Sequence, residues 1–412
     1  MRALGGAKKA VLFIFTGAGL SQVILLLTSV AIARIYDPGQ IGIYSILIAV
    51  SVVAVPVATL GLGNAVAPAE RAEDAMVLVH TAICSLVVFA GALTALAALT
   101  LSATGGAGLF GLGSASLFVG PITLAAGLFG VLLQLGIRLR SYRSVAVRGV
   151  VQASVLGGVQ VALGLALQAA SSLAIGDVLG RLAGSAMLAP SYWRLRAGAS
   201  FPLPSVRSTI RKHRDVVSHY MPSLLIETAA IQAGVILVGI WFGADAAGFL
   251  GFAQRMIFAP ITLIGAAIGA VVLGEVAKRR RDGELDRGAQ FSSLVIRLAP
   301  VAGAFALVVI VVGPAAFVFL FGQEWETSGS LARAIAIPAA VGLVWNPLSQ
   351  FFVALEFWKP FLVLSAARLL ISVALGWCAY ELGAGLVGTV AAIASGGALV
   401  EVLSMNYLRL RL

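Results

Sequence analysis

The sequence predicts an all-α integral membrane protein with about 12 transmembrane helices, and its composition, its apolar runs and its loop charges all indicate this class. Of the 412 residues, 60% are hydrophobic and 11% are charged, whereas a soluble domain carries roughly 25% charged residues. Burying this apolar excess in water would need a larger core than the chain can enclose, so lipid is the expected solvent. The 47 glycines agree, because glycine is more frequent in membrane helices than in soluble ones.

Twelve apolar stretches are long enough to span a bilayer, which takes roughly 20 residues. They lie at about 10–33, 41–67, 77–101, 116–137, 147–168, 173–192, 217–242, 249–275, 291–320, 329–354, 360–381 and 384–405. The first is interpreted as a retained helix, since it exceeds the roughly 7–15 apolar residues of a signal-peptide core. Ten or fourteen spans remain alternatives, because two stretches are long and the connection at 169–172 is very short.

The loop charges predict the orientation of these spans. Of the 28 lysines and arginines, 22 lie in the two tails and in alternate loops, and the opposite loops hold only Arg34. Positive loops face the cytoplasm, so both termini are expected there. The net charge of +11 is thus spread over short loops, which argues against a nucleic-acid-binding domain.

A repeated turn predicts that the chain has two related halves. The segment 35–44 can be aligned with 240–250 so that Tyr36 meets Phe242 and Gly42 meets Gly248, at an offset of 206 residues. A parallel repeat of two six-helix bundles would follow, with an N-terminal bundle at 1–205 and a C-terminal bundle at 206–412. Chance similarity between two glycine-rich turns is the alternative.

Charged residues inside the spans are the candidates for function, because an arginine near a helix centre costs about 2.5–3.5 kcal/mol on insertion scales. Such residues are expected to face water or an ionic partner. They are Asp177, Arg181, Glu227, Arg255, Arg297, Arg333 and Arg368. Depth favours a wet cavity for Arg181, Glu227 and Arg368, whereas the other three arginines are equally able to extend to a membrane interface.

The acidic residues have two interpretations each. Asp177 and Arg181 stand four apart on one helical face, the spacing of an ion pair. The pair would either merely neutralise both charges for insertion or leave Asp177, with Glu227, as a candidate coupling carboxylate. In the first case Arg255 and Arg368 would be the better anion ligands. Glu227 would either pair across the bundle or couple transport to protons. Glu401 is interpreted as interfacial.

Prolines and missing motifs complete the sequence evidence. Asn346 and Pro347 form the densest helix-breaking cluster, as a hinge or as a tolerated bend. No phosphate-binding loop, HExxH, paired CxxC or nucleophile-elbow motif occurs, so no ATP hydrolysis, no metal, no cofactor and no enzymatic activity are expected.

Three segments resemble the polysaccharide-transporter branch of the multidrug/oligosaccharidyl-lipid/polysaccharide exporter superfamily, which includes the O-antigen flippases. Residues 33–44 are similar to the family turn R-x-Y-x-P-x-x-x-G-x-Y. Residues 251–256 with Pro260 are similar to its eighth helix, and the third segment runs from 321–325 through 347–348 to 354–356.

The resemblance implies two six-helix bundles arranged as a V around a central cavity with alternating access. It also implies transport of an undecaprenyl-pyrophosphate-linked oligosaccharide to the outer leaflet of the bacterial inner membrane, by a monomer with a possible glycan polymerase partner. Arg34 and Arg255 match basic positions of the family. The expected cationic cavity comprises Arg34, Arg181, Arg255, Arg297 and Arg368.

Two other functions remain open at this point. An ion-coupled small-molecule exporter of the multidrug type would share the fold, but it would have fewer cavity arginines and a dominant acidic site. A membrane glycosyltransferase, polymerase or ligase would need a sizeable outer loop with catalytic residues, and the outer loops here are short.

Overall fold

The computed structural model describes residues 2–69, 71–197, 206–261, 287–354 and 358–411, and these residues form helices and turns with no β-strand among them. The chain divides into two compact units, Met1–Thr228 and Ala229–Leu412. The division therefore falls within a helix that begins at Met221, later than the boundary at 205/206 expected from the sequence.

The described residues of unit 1 form nine helices and the start of a tenth. They are α1 Arg2–Ile35, α2 Pro38–Ala58, α3 Leu62–Ala65, α4 Ala72–Ala103, α5 Val119–Arg138, α6 Tyr142–Ala166, α7 Ala170–Ala186, α8 Ala189–Ala197, α9 Val206–Lys212 and the first part of α10 Met221–Phe242. Two 3₁₀ turns precede α5, and a π-helical turn at Val216–Tyr220 leads into α10.

Unit 2 contains the rest of α10 and five further helices within the described ranges. They are α11 at 244–261, α12 Arg287–Phe321, α13 Glu326–Ala354, α14 Trp358–Glu381 and α15 Gly385–Arg411. A 3₁₀ turn at Gln323–Trp325 joins α12 to α13.

Ten of the described helices are long and apolar enough to cross a membrane, so the predicted class of multi-pass helical membrane protein is confirmed. The exact count of twelve is not. The sixth predicted span corresponds to α7, which has 17 residues, and the predicted span 249–275 is described only to residue 261. The predicted span 41–67 is interrupted, because α2 ends at Ala58 and Gly61 adopts a left-handed conformation with φ of 67°.

The helix breaks after α1 and after α10 occur at equivalent positions. Asp37 separates α1 from α2, and Gly243 separates α10 from α11, which is the offset of 206 residues that the repeated turn predicts. Asp37 ends the first break by accepting a hydrogen bond from the Gln40 backbone N–H at 2.8 Å, with Pro38 at the start of α2. Both features are favoured at helix N-termini.

Small residues allow the helices of each unit to pack closely. In unit 1, α6 places Gly157 against Thr28 and Gly164 against the Tyr36 ring, both on the α1 side of α6. In unit 2, a Cβ at Gly396 of α15 would lie 2.9 Å from the backbone of Ser372 in α14. Close backbone approach at small residues is a main source of helix association in membranes, where lipid removes the hydrophobic driving force.

Candidate functional site

A cavity of about 290 Å³ lies within unit 1, among α2, α3, α5, α7 and the first turns of α10. Its wall is mostly apolar or glycine, with one charged residue. The lining residues are Val52, Val55, Pro56, Thr59, Gly63, Asn64, Ala126, Gly127, Gly130, Val131, Arg181, Leu224 and Thr228. Such a wall with a few polar groups is typical of ligand sites.

The α2 wall of the cavity contains an irregular stretch of helix. Pro56 lies inside α2 and has no N–H to donate to the carbonyl of Val52, four residues earlier. Both residues line the cavity. Freed backbone groups at membrane depth are tolerated only against protein or water, which agrees with the position of both residues at the cavity wall.

Arg181 enters the cavity from α7 as one end of an ion pair. Its Nε donates to Oδ2 of Asp177 at 2.6 Å, one helical turn earlier, so the predicted pair is confirmed. The Tyr44 hydroxyl donates to the other carboxylate oxygen of Asp177 at 3.3 Å. The Asp177 side chain is 2% exposed and the Arg181 side chain 19%, so the carboxylate is the inner end of the pair and the guanidinium the outer end.

This geometry determines what Arg181 can bind. A guanidinium has five N–H groups in a planar fork, and Asp177 takes up the one on Nε. A ligand in the cavity would therefore meet the two Nη atoms, which suit the paired oxygens of a carboxylate or phosphate. The neighbouring carboxylate weakens the attraction but keeps the arginine in place.

A second ion pair lies in unit 2. Nη2 of Arg368 in α14 and Oε1 of Glu401 in α15 are 2.9 Å apart, and their side chains are 21% and 7% exposed. Each residue is ten positions from the helix end on the same side, at Trp358 and Arg411, or roughly 15 Å. Glu401 is therefore a buried ion-pair partner of Arg368, and its interpretation as an interfacial residue stays a prediction.

The family model for polysaccharide biosynthesis proteins matches residues 31–330, which is most of the chain and includes parts of both units. The chain belongs to the polysaccharide biosynthesis protein family. The match includes the first two segments that carried the resemblance and the start of the third. No curated protein matches the chain by sequence.

Solved structures show the same fold at low sequence identity. The lipid II flippase MurJ in an inward closed conformation has a TM-score of 0.75 and 12% identity over 95% of this chain and 86% of that one. A MOP superfamily transporter from Pyrococcus furiosus has a TM-score of 0.64 and 13% identity, over 98% and 95%. An inward-facing multidrug resistance MATE family transporter has a TM-score of 0.57 and 16% identity over 97% of this chain and 94% of that one. This polysaccharide biosynthesis protein therefore has the fold of MOP superfamily transporters.

The remaining predicted ligands of this family member lie in different surroundings. In unit 1, Arg34 is exposed near the end of α1, and Glu227 is partly buried in α10, one residue before the cavity-lining Thr228. In unit 2, Arg255 is partly buried in α11 and Arg297 is exposed in α12. Of the five predicted arginines, Arg181 is the one that lines the described cavity. A shared role for all five stays a prediction.

Arg148 is a buried cation that was left out of the charged span residues, because the charge count assigned residues 138–148 to a loop although the predicted span begins at 147. The helix α6 begins at Tyr142, so Arg148 lies within it and is 9% exposed. Its Nη1 donates to the Phe129 carbonyl at 3.0 Å, and its guanidinium lies 3.6 Å from the centre of the Phe129 ring. The hydrogen bond and the cation–π contact together join α6 to α5 beside the cavity wall.

The predicted hinge at Asn346 and Pro347 lies in a continuous helix. The helix α13 runs through both Pro338 and Pro347, and the Ser349 hydroxyl donates to the Asn346 carbonyl at 2.8 Å. Hinge motion there stays a prediction. Among the described residues, no three histidine, cysteine or acidic side chains are grouped as metal ligands.

Proposed function

We propose that this protein moves an undecaprenyl-pyrophosphate-linked oligosaccharide from the cytoplasmic to the outer leaflet of the bacterial inner membrane, by alternating access. The observation that carries the proposal is the cavity of unit 1, where Arg181 presents a cation and the carboxylate of Asp177 lies behind it. Family membership supports a glycan as cargo, and the MOP transporter fold supports movement across the bilayer.

The size and lining of the cavity suit the charged head of such a cargo. A volume of about 290 Å³ is at the lower end for small-molecule sites, so it accommodates a pyrophosphate with an adjoining sugar and not a whole oligosaccharide. Pyrophosphate oxygens match the Nη atoms of Arg181. The hydroxyls of Thr59 and Thr228 and the amide of Asn64 supply neutral partners, while the glycan extends beyond the cavity.

Asp177 is the first candidate for the coupling carboxylate, because it is the counterion of Arg181. Its negative charge competes with an anionic cargo for the guanidinium, so loss of that charge would favour binding and its return would favour release. Glu227, next to Thr228 on α10, is the alternative carboxylate for the same role.

The proposed direction of transport follows from the loop charges, which place both termini in the cytoplasm. The protein would act as a monomer in the bilayer, and a glycan polymerase on the outer face would be the partner that consumes the exported repeat unit.

The test is a deletion strain examined for lipid-linked glycan. We expect repeat units to accumulate on the cytoplasmic leaflet, wild-type protein and the control Arg409→Ala to restore export, and Arg181→Ala to fail at equal membrane abundance. Arg409 is a suitable control because it is exposed near the end of α15.

Three outcomes would contradict the proposal in different ways. Normal glycan export with altered drug sensitivity would indicate a multidrug-type exporter. Accumulation of single repeat units on the outer leaflet would indicate a polymerase or ligase. Full complementation by Arg181→Ala would retain the flippase and remove the cavity of unit 1 as its binding site.

A further inference from the structure

Pro314 leaves an open hydrogen-bond acceptor in the middle of α12. The helix runs from Arg287 to Phe321 with Pro314 inside it, and proline has no N–H to donate to the carbonyl four residues earlier. That carbonyl belongs to Ile310. In lipid every backbone polar group has to be satisfied within the protein or by water, so this acceptor needs a donor from outside α12.

The donor comes from the neighbouring helix. Nε of Arg333 in α13 donates to the Ile310 carbonyl oxygen at 3.1 Å. This hydrogen bond joins α13 to α12. Its acceptor is the carbonyl that lacks its usual N–H donor because of Pro314.

The packing of α12 against α13 explains why Arg333 reaches this carbonyl. Gly329 lies one helical turn before Arg333, so the two residues share a face of α13. A Cβ at Gly329 would lie 2.8 Å from Cα and 3.2 Å from the carbonyl oxygen of Pro314. The missing side chain therefore lets α13 approach the backbone at Pro314, and the next turn brings Arg333 to Ile310.

We propose that Arg333 is a positioning residue for transport, which supplies the hydrogen bond that Pro314 removes and thereby fixes the backbone of α12 at Ile310 against α13. This role goes beyond cargo binding and differs from both sequence interpretations of Arg333, as a cavity ligand or as a side chain that extends to the interface. A side-chain donor can release and re-form its bond as the helices shift, whereas a backbone N–H is fixed in its own helix. Movement of α13 along α12 would therefore be coupled to the shape of α12.

Three substitutions separate the hydrogen bond from the positive charge. Arg333→Met keeps a long unbranched side chain and removes both. Arg333→Gln keeps an N–H donor, since Nε2 of glutamine is the same number of bonds from Cα as Nε of arginine. Pro314→Ala restores a backbone N–H that can donate to the Ile310 carbonyl. It does not change the close approach at Gly329, because that approach involves the Cα and the carbonyl oxygen of residue 314.

The experiment measures glycan export in the deletion strain at matched membrane abundance, together with the melting temperature of the purified full-length variants. We expect Arg333→Met to reduce export on the order of tenfold, as loss of one hydrogen bond to a charged donor would. Arg333→Gln should stay close to wild type. Adding Pro314→Ala to Arg333→Met should restore export, whereas the control Pro300→Ala, at another proline of α12, should not.

Two results would overturn the proposal. If Arg333→Gln is as defective as Arg333→Met, the charge matters and Arg333 binds an anion or a lipid phosphate. If adding Pro314→Ala to Arg333→Met restores neither export nor the melting temperature, the hydrogen bond to Ile310 is not what Arg333 contributes. The export readout rests on the proposed glycan cargo, whereas the melting temperatures of the same variants do not depend on which cargo the protein carries.

Discussion

Arg368 in α14 and Glu401 in α15 are joined by an ion pair of 2.9 Å although 33 positions separate them in the chain. The pair lies next to glycines of two helices. A Cβ at Gly397 would be 3.5 Å from Nε of Arg368, and a Cβ at Gly342 of α13 would be 3.7 Å from Oε2 of Glu401. The pair is therefore packed into the junction of α13, α14 and α15.

This junction predicts a stability effect for single substitutions. Glu401→Ala and Arg368→Ala should each lower the melting temperature of the purified protein, because breaking a buried pair leaves one charge uncompensated at a cost of roughly 3–5 kcal/mol. The double variant Arg368→Met/Glu401→Met should recover most of the loss. Equal melting temperatures for all four proteins would show that the pair contributes nothing to folding.

The same pair changes how a transport defect in Arg368→Ala is interpreted. From the sequence, loss of export in Arg368→Ala and Arg255→Ala with normal insertion would indicate two anion ligands. The structure adds loss of the ion pair with Glu401 as a second cause at position 368. Arg368 is a cargo ligand only if the stable double variant also fails to export, and its place in the predicted cationic cavity is excluded if that variant exports normally.

Replacing Asp177 by Asn should strengthen anion binding in the cavity of unit 1, because it leaves Arg181 without its counterion. The single side-chain oxygen of asparagine can keep the hydrogen bond from Nε of Arg181, while its amide N–H has to donate to the Tyr44 hydroxyl. Binding of a pyrophosphate-linked lipid to the purified variant measures the effect.

Asp74→Asn is the matched control for this prediction. Asp74 is also an ion-paired carboxylate of unit 1, bonded to Lys212 at 2.7 Å, but it is not among the residues of the cavity wall. Unchanged anion binding in Asp177→Asn would show that the carboxylate does not compete with the cargo for Arg181, and Glu227 would then be the next candidate.

Two glycines of α6 should respond in opposite ways to alanine. A Cβ at Gly164 would collide with the Tyr36 ring, whose hydroxyl donates to the Gln160 carbonyl at 2.7 Å, whereas a Cβ at Gly158 would meet nothing within 4 Å. Gly164→Ala should therefore destabilise the protein by roughly 1–3 kcal/mol. Gly158→Ala should leave it unchanged or stabilise it by about 0.5–1 kcal/mol, since glycine is a poor helix former.

Thermal unfolding of the two variants in the same detergent checks this prediction. If Gly164→Ala is as stable as Gly158→Ala, then α1 and α6 do not need the close approach at Tyr36.

The features that the sequence predicted correctly are local, and those that it missed depend on helix register. The pair of Asp177 and Arg181 was predictable because four residues make one helical turn. The partner of Arg368 was not, because a hydrophobic pattern fixes the length of α14 and α15 but not which of their turns meet. Arg148 was missed for a related reason. Counting charges in loops requires the helix ends, and the sequence predicts those ends only to within about one helical turn.

The Pro314 site illustrates the same limit more sharply. Chemistry alone predicts that the Ile310 carbonyl needs a new donor, and the sequence shows an unexplained arginine at 333. Only the contact between α12 and α13 relates the two. The cavity of unit 1 is likewise an assembly of five helices whose residues share no sequence spacing.

Acidification should loosen the attachment of α9 to α4 through His213. Burial lowers the pKa of His213 below 6.5, and the positive charge of Lys212 adds to this, while Asp74 opposes it. Because the folded protein disfavours the protonated ring, the stabilising contribution is present above the usual pKa and is lost as the pH falls through the lowered value. His213→Gln should therefore be less sensitive to a shift from neutral to acidic pH than wild type.

Melting temperatures across this pH range, with His219→Gln as the control, test the role of His213. His219 is exposed, lies in the π-helical turn Val216–Tyr220 and contacts its neighbour Ser218. The same pH sensitivity in His213→Gln and in wild type would exclude His213 as the titrating group.

Cysteine labelling should show that the loop after α4 and the loop after α5 lie on opposite sides of the membrane. In a background without Cys84 and Cys378, of which the second is exposed, Ser114→Cys and Arg143→Cys each place one thiol at an exposed position. Arg143, at the start of α6, belongs to the basic side, which is predicted to face the cytoplasm. A membrane-impermeant maleimide added to intact spheroplasts should therefore label position 114 and spare position 143 until the membrane is permeabilised. The reverse pattern would invert the orientation and, with it, the proposed direction of transport.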